Sequence, residues 1–103
     1  MMKRILHLTL IKRYFDVIAD GKKRREWRAK KPYWTKRLFK DGKPRKFDEV
    51  HFTNGYGRDR PFMRVEWRGL DLGCDDYYMV ILGDLLEIRN WFGEADGRET
   101  IRS

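Results

Sequence analysis

The chain has 103 residues, 41% of them hydrophobic and 15% aromatic, which suits one domain with its own core and excludes a disordered chain. A single cysteine, Cys74, excludes an internal disulfide and fits a reducing cytoplasm; with His7 and His51 it forms no metal-ligand spacing. The net charge of +8 is held unevenly, with seventeen Lys and Arg against four Asp and Glu in residues 1–46 and seven against twelve in 47–103.

The N-terminal MMKRILHLTLIKR has the basic start and apolar run of a signal peptide. The run is short, is interrupted by His7, ends at Lys12 and lacks a small-residue cleavage site. It reads instead as a buried strand over residues 3–10, with Ile5, His7 and Thr9 on one face and three leucines on the other. His7 is assigned to the core. Ile11, Tyr14, Phe15 and Ile18 then recur at helical spacing, and Gly21 stands where a helix C-cap glycine belongs. Residues 24–29 follow as an extended segment, in which Trp27 alternates away from Glu26 and Arg28 and is assigned to the core. Pro32 opens a short helix, PYWTKRLF, and DGKP at 41–44 is a turn signal. A strand over 48–53 includes His51, again a core histidine. NGYGRDRP is a loop, and PFMRVEWRGL alternates as a half-buried strand. YYMVIL and LLEIRN, on either side of Gly83-Asp84, read as a strand and its continuation or return. No stretch is long enough to span a membrane. The expected class is α+β: a small, partly closed β-barrel with one longer and one short helix.

Between Lys22 and Lys46 thirteen basic residues face only Glu26 and Asp41. Such a field attracts polyanions, and phosphate backbones are the commonest of these. A solvated face that aids solubility is the plainer alternative. Interleaved Trp27, Tyr33 and Trp34 tilt the choice toward nucleic acid, because base stacking needs aromatics beside cations.

The octet Gly21 to Arg28, GKKRREWR, carries Gly21, Lys23, Glu26 and Arg28 at the spacing G-x-K-x-x-E-x-R. It resembles the signature of ASCH domains, a branch of the PUA-like β-barrel superfamily. The preceding YFDVIADG and the later FDEVHFTNGYG, MRVEWRG and YYMVILGDLLEIRN are similar in order. The resemblance implies one domain, residues 1–92, followed by a polar tail over 93–103. It also implies binding of RNA, another nucleic acid or a nucleoside in a cleft beside the barrel, with no cofactor. Some ASCH members are hydrolases. One group removes the acyl group from acetylated cytidine with a lysine, a threonine and a glutamate, and a member has been proposed to be a ribonuclease. The lysine matches Lys23, but the threonine's position is held by Glu26, which cannot serve as a hydroxyl nucleophile. Glu66 and Glu87 are the candidates for the distant glutamate.

Lys23 and Glu26 would point to opposite faces of a straight strand, so a shared site requires Lys23 to remain in the turn after Gly21. Glu26 would then orient Lys23 toward a phosphate or a developing oxyanion, with Arg28 as a second clamp. The alternative is a carboxylate that neutralises a crowded basic turn. Tyr33 and Trp34, with Arg37 beside them, either stack bases or pack the short helix onto the barrel through Trp34 and Leu38. In the 54–60 loop, Asn54 offers an amide for base edges, Tyr56 a stacking ring, and Arg58 and Arg60 phosphate contacts. An ordinary connection is the alternative there.

Overall fold

The computed structural model describes residues 2–91. The tail expected over 93–103 lies outside the described residues. A five-stranded sheet in the order β1-β5-β6-β7-β2 curls over two helices, a small α+β architecture. No described helix is long and apolar enough to cross a membrane.

Strand β1 (Ile5–Leu10) alternates as its sequence dictates, with Leu6, Leu8 and Leu10 buried. Its other face is not a second core: His7 and Thr9 are exposed, which corrects the core assignment of His7. Helix α1 (Lys12–Ala19) buries Phe15 and Ile18 beneath the sheet. The expected apolar stripe divides, because Ile11 is the extended N-cap and Tyr14 faces outward. Gly21, at φ +79°, reverses the chain. The amides of Lys22 and Lys23 both donate to Val17 O at 3.0 Å, closing the helix end as a left-handed glycine cap does.

Strand β2 (Arg25–Ala29) pairs antiparallel with β7, and Pro32 opens α2 (Pro32–Leu38) as its first residue. Leu38 fixes α2 in the core, and the Thr35 and Tyr78 hydroxyls share a hydrogen bond of 2.5 Å. A tight hairpin follows, β3 (Phe39–Lys40) against β4 (Lys43–Pro44). Asp41 and Gly42 both adopt positive φ, as a two-residue turn that matches strand twist demands. Strand β5 (Glu49–Asn54) runs parallel to β1, and β6 (Phe62–Asp71) and β7 (Tyr77–Arg89) complete the meander. The two segments flanking Gly83 form one thirteen-residue strand, a continuation and not a return. Three register irregularities between β6 and β7 bend this pair. Phe15, Val50, Phe52, Met63 and Val80 make a fully buried centre.

A polar rung crosses the opposite face, since His7, His51, Arg64 and Glu87 are successive register partners on β1, β5, β6 and β7. Beside it Glu49 is buried, held by Lys3 at 2.6 Å, His51 at 2.9 Å and both oxygens by Arg64 at 2.8–2.9 Å. His51 therefore belongs to a surface network and not to the apolar core. These hydrogen bonds, led by Lys3 and then His51, hold the Glu49 carboxyl at about 2, against an ordinary 4.5. A depressed carboxyl stabilises the fold above the ordinary value, and that contribution disappears as pH falls through the lowered one. Thermal unfolding should show Glu49→Gln less stable than wild type above pH 4.5, with the difference closing as the pH approaches 2. A pH-independent difference would refute this role.

Candidate nucleic-acid interface

Glu26 is the unusual residue of β2. Its register partner is Val80 and that of Arg28 is Tyr78, so Glu26 and Arg28 point to the concave, core side of the sheet. Glu26 is only 4% exposed. A carboxylate withdrawn from water needs paired charge. Lys23 supplies it from the turn, with Nζ 3.0 Å from Oε1, because its amide is still tied to the end of α1. Arg28 donates to Oε2 from two residues along the strand. Lys23 does not approach Oε1 along a hydrogen-bonding direction, so that oxygen is charge-compensated yet lacks a hydrogen bond. The result is one carboxylate between two cations, a site of net positive charge.

Arg28 also ties the sheet's two edges together. Strands β1 and β2 are the outermost and are not paired with each other. The Arg28 guanidinium reaches across to Thr9 O at 3.3 Å and lies 5.2 Å from the Trp34 ring centre. The sheet thus curls until its edges nearly meet, and the seam remains open as a cleft of about 650 Å³. Strand β1 contributes His7 and Thr9, α1 Tyr14, the α1–β2 turn Lys23, β2 Glu26, Trp27 and Arg28, and α2 Tyr33 and Trp34. The Lys23 ammonium sits 4.7 Å from the Tyr14 ring centre, a cation–π contact at the cleft wall. Burial lowers the His7 pKa below the ordinary 6.5, and the neighbouring His51, ring against ring at 5.4 Å, adds to the effect.

The residues singled out in the sequence separate into two groups. Lys23, Glu26, Arg28, Tyr33 and Trp34 line the cleft. Arg37 lies 4.3 Å over the Tyr33 ring, and Tyr33 meets Trp34 edge to face at 4.9 Å. Trp34 packs partly on the core and lines the cleft as well, so both readings of it hold. The 54–60 loop lies elsewhere. Asn54 donates its side-chain amide to Leu10 O at 3.0 Å, a strand-end tie. Tyr56 is 89% exposed, and Arg58 and Arg60 line a separate hollow with Phe62, Arg89 and Asn90. Glu66 is held by Arg68 and the Asp84 amide, and Glu87 by Arg64 and Arg89. Neither glutamate lines the cleft.

Trp27 is 49% exposed and leans on Tyr77 at 5.6 Å, which corrects its core assignment. Alternation was right, but the buried face of β2 carries the glutamate and arginine. Sequence reasoning also missed His7, Thr9 and Tyr14 as cleft residues. The signal was present in β1, where a polar pair opposes three leucines.

Comparison with family models, with curated proteins and with solved structures finds no match to this chain. The geometry yields two expectations. Glu26→Ala leaves two cations uncompensated at the seam and should lower stability by about 3 kcal/mol in urea unfolding; an unchanged midpoint would remove the clamp's structural role. An NMR titration should place His7 below 6.5, and His51→Gln should raise that midpoint by removing the second imidazole.

Proposed function

We propose that the chain is a nucleic-acid-binding domain of the ASCH, PUA-like type, holding one nucleotide of RNA or of a single strand in the seam cleft. The observation that carries this reading is the meeting of the Lys23–Glu26–Arg28 clamp with Tyr14, Tyr33 and Trp34 in one hollow. Cations with a fixed orientation suit phosphate, and aromatic faces suit bases. A volume of about 650 Å³ falls within the range of small-ligand pockets. Glu26 holds Lys23 and Arg28 in place at the cleft through its two oxygens. Free exposed lysines hold no such geometry.

Fluorescence anisotropy with a labelled single-stranded RNA tests the proposal. Binding should weaken steeply with salt, since each neutralised phosphate contributes about 0.7 to the logarithmic slope on a single strand. Lys23→Ala and Arg28→Ala should each weaken binding roughly tenfold, about 1.4 kcal/mol. Absence of binding to any RNA or DNA oligomer at low salt would overturn the reading.

A hydrolytic function of the same cleft, on an acylated cytidine or on RNA, is the second reading. One observation favours it: Thr9 and His7 are among the residues lining the hollow with Lys23 and Glu26. They are the hydroxyl and the base that the octet itself lacks. Conversion of either substrate, abolished by Lys23→Ala, would establish it; unchanged substrate, or activity that survives Lys23→Ala, would reject it.

A further inference from the structure

We infer that the ligand is an oligonucleotide strand that continues from the seam cleft into a second basic groove at the β3–β4 hairpin. This rests on the nucleic-acid reading above and extends it from one nucleotide to a strand. The groove, of about 760 Å³, is floored by Ile5 and Phe47. Arg4, Lys40, Lys43, Arg45 and Lys46 surround it, with Asp41 as its only lining carboxylate.

Two features bear on what these cations can bind. The first is that they are unpaired. On the sheet, Arg25, Arg64, Arg68 and Arg89 each meet a carboxylate at 2.7–3.2 Å. Among the described residues, none of the groove's five basic side chains meets one within ion-pairing distance. Arg45 alone is partly engaged, through Nε to Phe39 O. Four like charges within the seven residues 40–46 repel one another, and a polyanion relieves that repulsion.

The second feature is the path. Ile5, His7 and Thr9 share one face of β1; the first lines the hairpin groove and the other two line the cleft. Four strand residues span about 13 Å at ~3.3 Å each. Helix α2 makes the same passage from the other side. Tyr33 and Trp34 at its start line the cleft, and its end leads directly into the hairpin. Seven helical residues span about 10 Å at ~1.5 Å each. The two hollows are therefore consecutive along a pair of elements, at an interval of about 10–13 Å that a short oligonucleotide can bridge. An acidic peptide would satisfy the charge, but it has no use for the aromatic cleft at the other end of the path.

The test compares uridine monophosphate with oligouridylates from a dinucleotide to an octanucleotide, on wild type and on Lys43→Glu/Lys46→Glu. Both lysines are exposed and hold no other group in place. Wild-type affinity should climb with length from the monophosphate and level off within this series, once the strand spans both hollows. The double variant should weaken the octanucleotide at least tenfold more than the monophosphate and lower its salt slope by about 1.4, two contacts of ~0.7 each. Equal affinity for monophosphate and octanucleotide, or a double variant with undiminished slope, would overturn the inference while leaving the cleft reading intact. Failure of both ligands to bind would overturn the two together. A polyglutamate peptide that binds wild type more tightly than the octanucleotide and loses affinity in the double variant would assign the groove to an acidic protein instead.

Discussion

The burial of Glu26 between Lys23 and Arg28 constrains more of this protein than any other contact. A carboxylate at 4% exposure is costly unless its charge is met. Meeting it fixes where the α1–β2 turn must hold Lys23, and it fixes the rotamer of Arg28. Once Arg28 is oriented by Glu26, its other terminal nitrogen reaches Thr9 O and its guanidinium carbon lies 5.2 Å from the Trp34 ring centre. One ion cluster therefore joins β2 to the far edge of the sheet and to α2. The cleft exists because these three elements are held near one another without closing.

The open seam also answers a general problem of sheets. Unpaired edge strands invite pairing with other chains. Here the sheet bends through the irregular β6–β7 pair, so its two edges turn toward each other and are covered by side chains and by α2. The free backbone of an edge becomes a wall of the cleft: Thr9 O accepts from Arg28. Curling the sheet thus limits edge exposure and shapes the ligand site in one step.

Charge is sorted in the same spatial sense. On the sheet's outer face Arg64 is matched with Glu49 and Glu87 across three strands, where it fastens them in register. The cations of the hairpin after α2 are left unmatched, and those of the seam share a single carboxylate. Both groups of cations fall in the basic stretch between Lys22 and Lys46, apart from Arg4.

The sequence by itself determined the elements and much of the site. The leucines of β1, the Gly21 cap, Pro32 and the Asp41-Gly42 turn each set local backbone through short-range sterics, and each stands where its chemistry placed it. The octet's Lys23, Glu26 and Arg28 converge because the glycine cap is local too. Only the tertiary structure decided which face of β2 is buried. Alternation separates Glu26 from Trp27 but carries no sign, and the intuition that a tryptophan is inside and a glutamate outside inverted it. Only the curl of the sheet brought His7 and Thr9 to the clamp, and only the separate course of the 54–60 loop took Asn54, Tyr56, Arg58 and Arg60 away from it. These are relations between residues distant in sequence. They depend on how far a sheet bends and which edges meet, and no periodicity within a single segment encodes that.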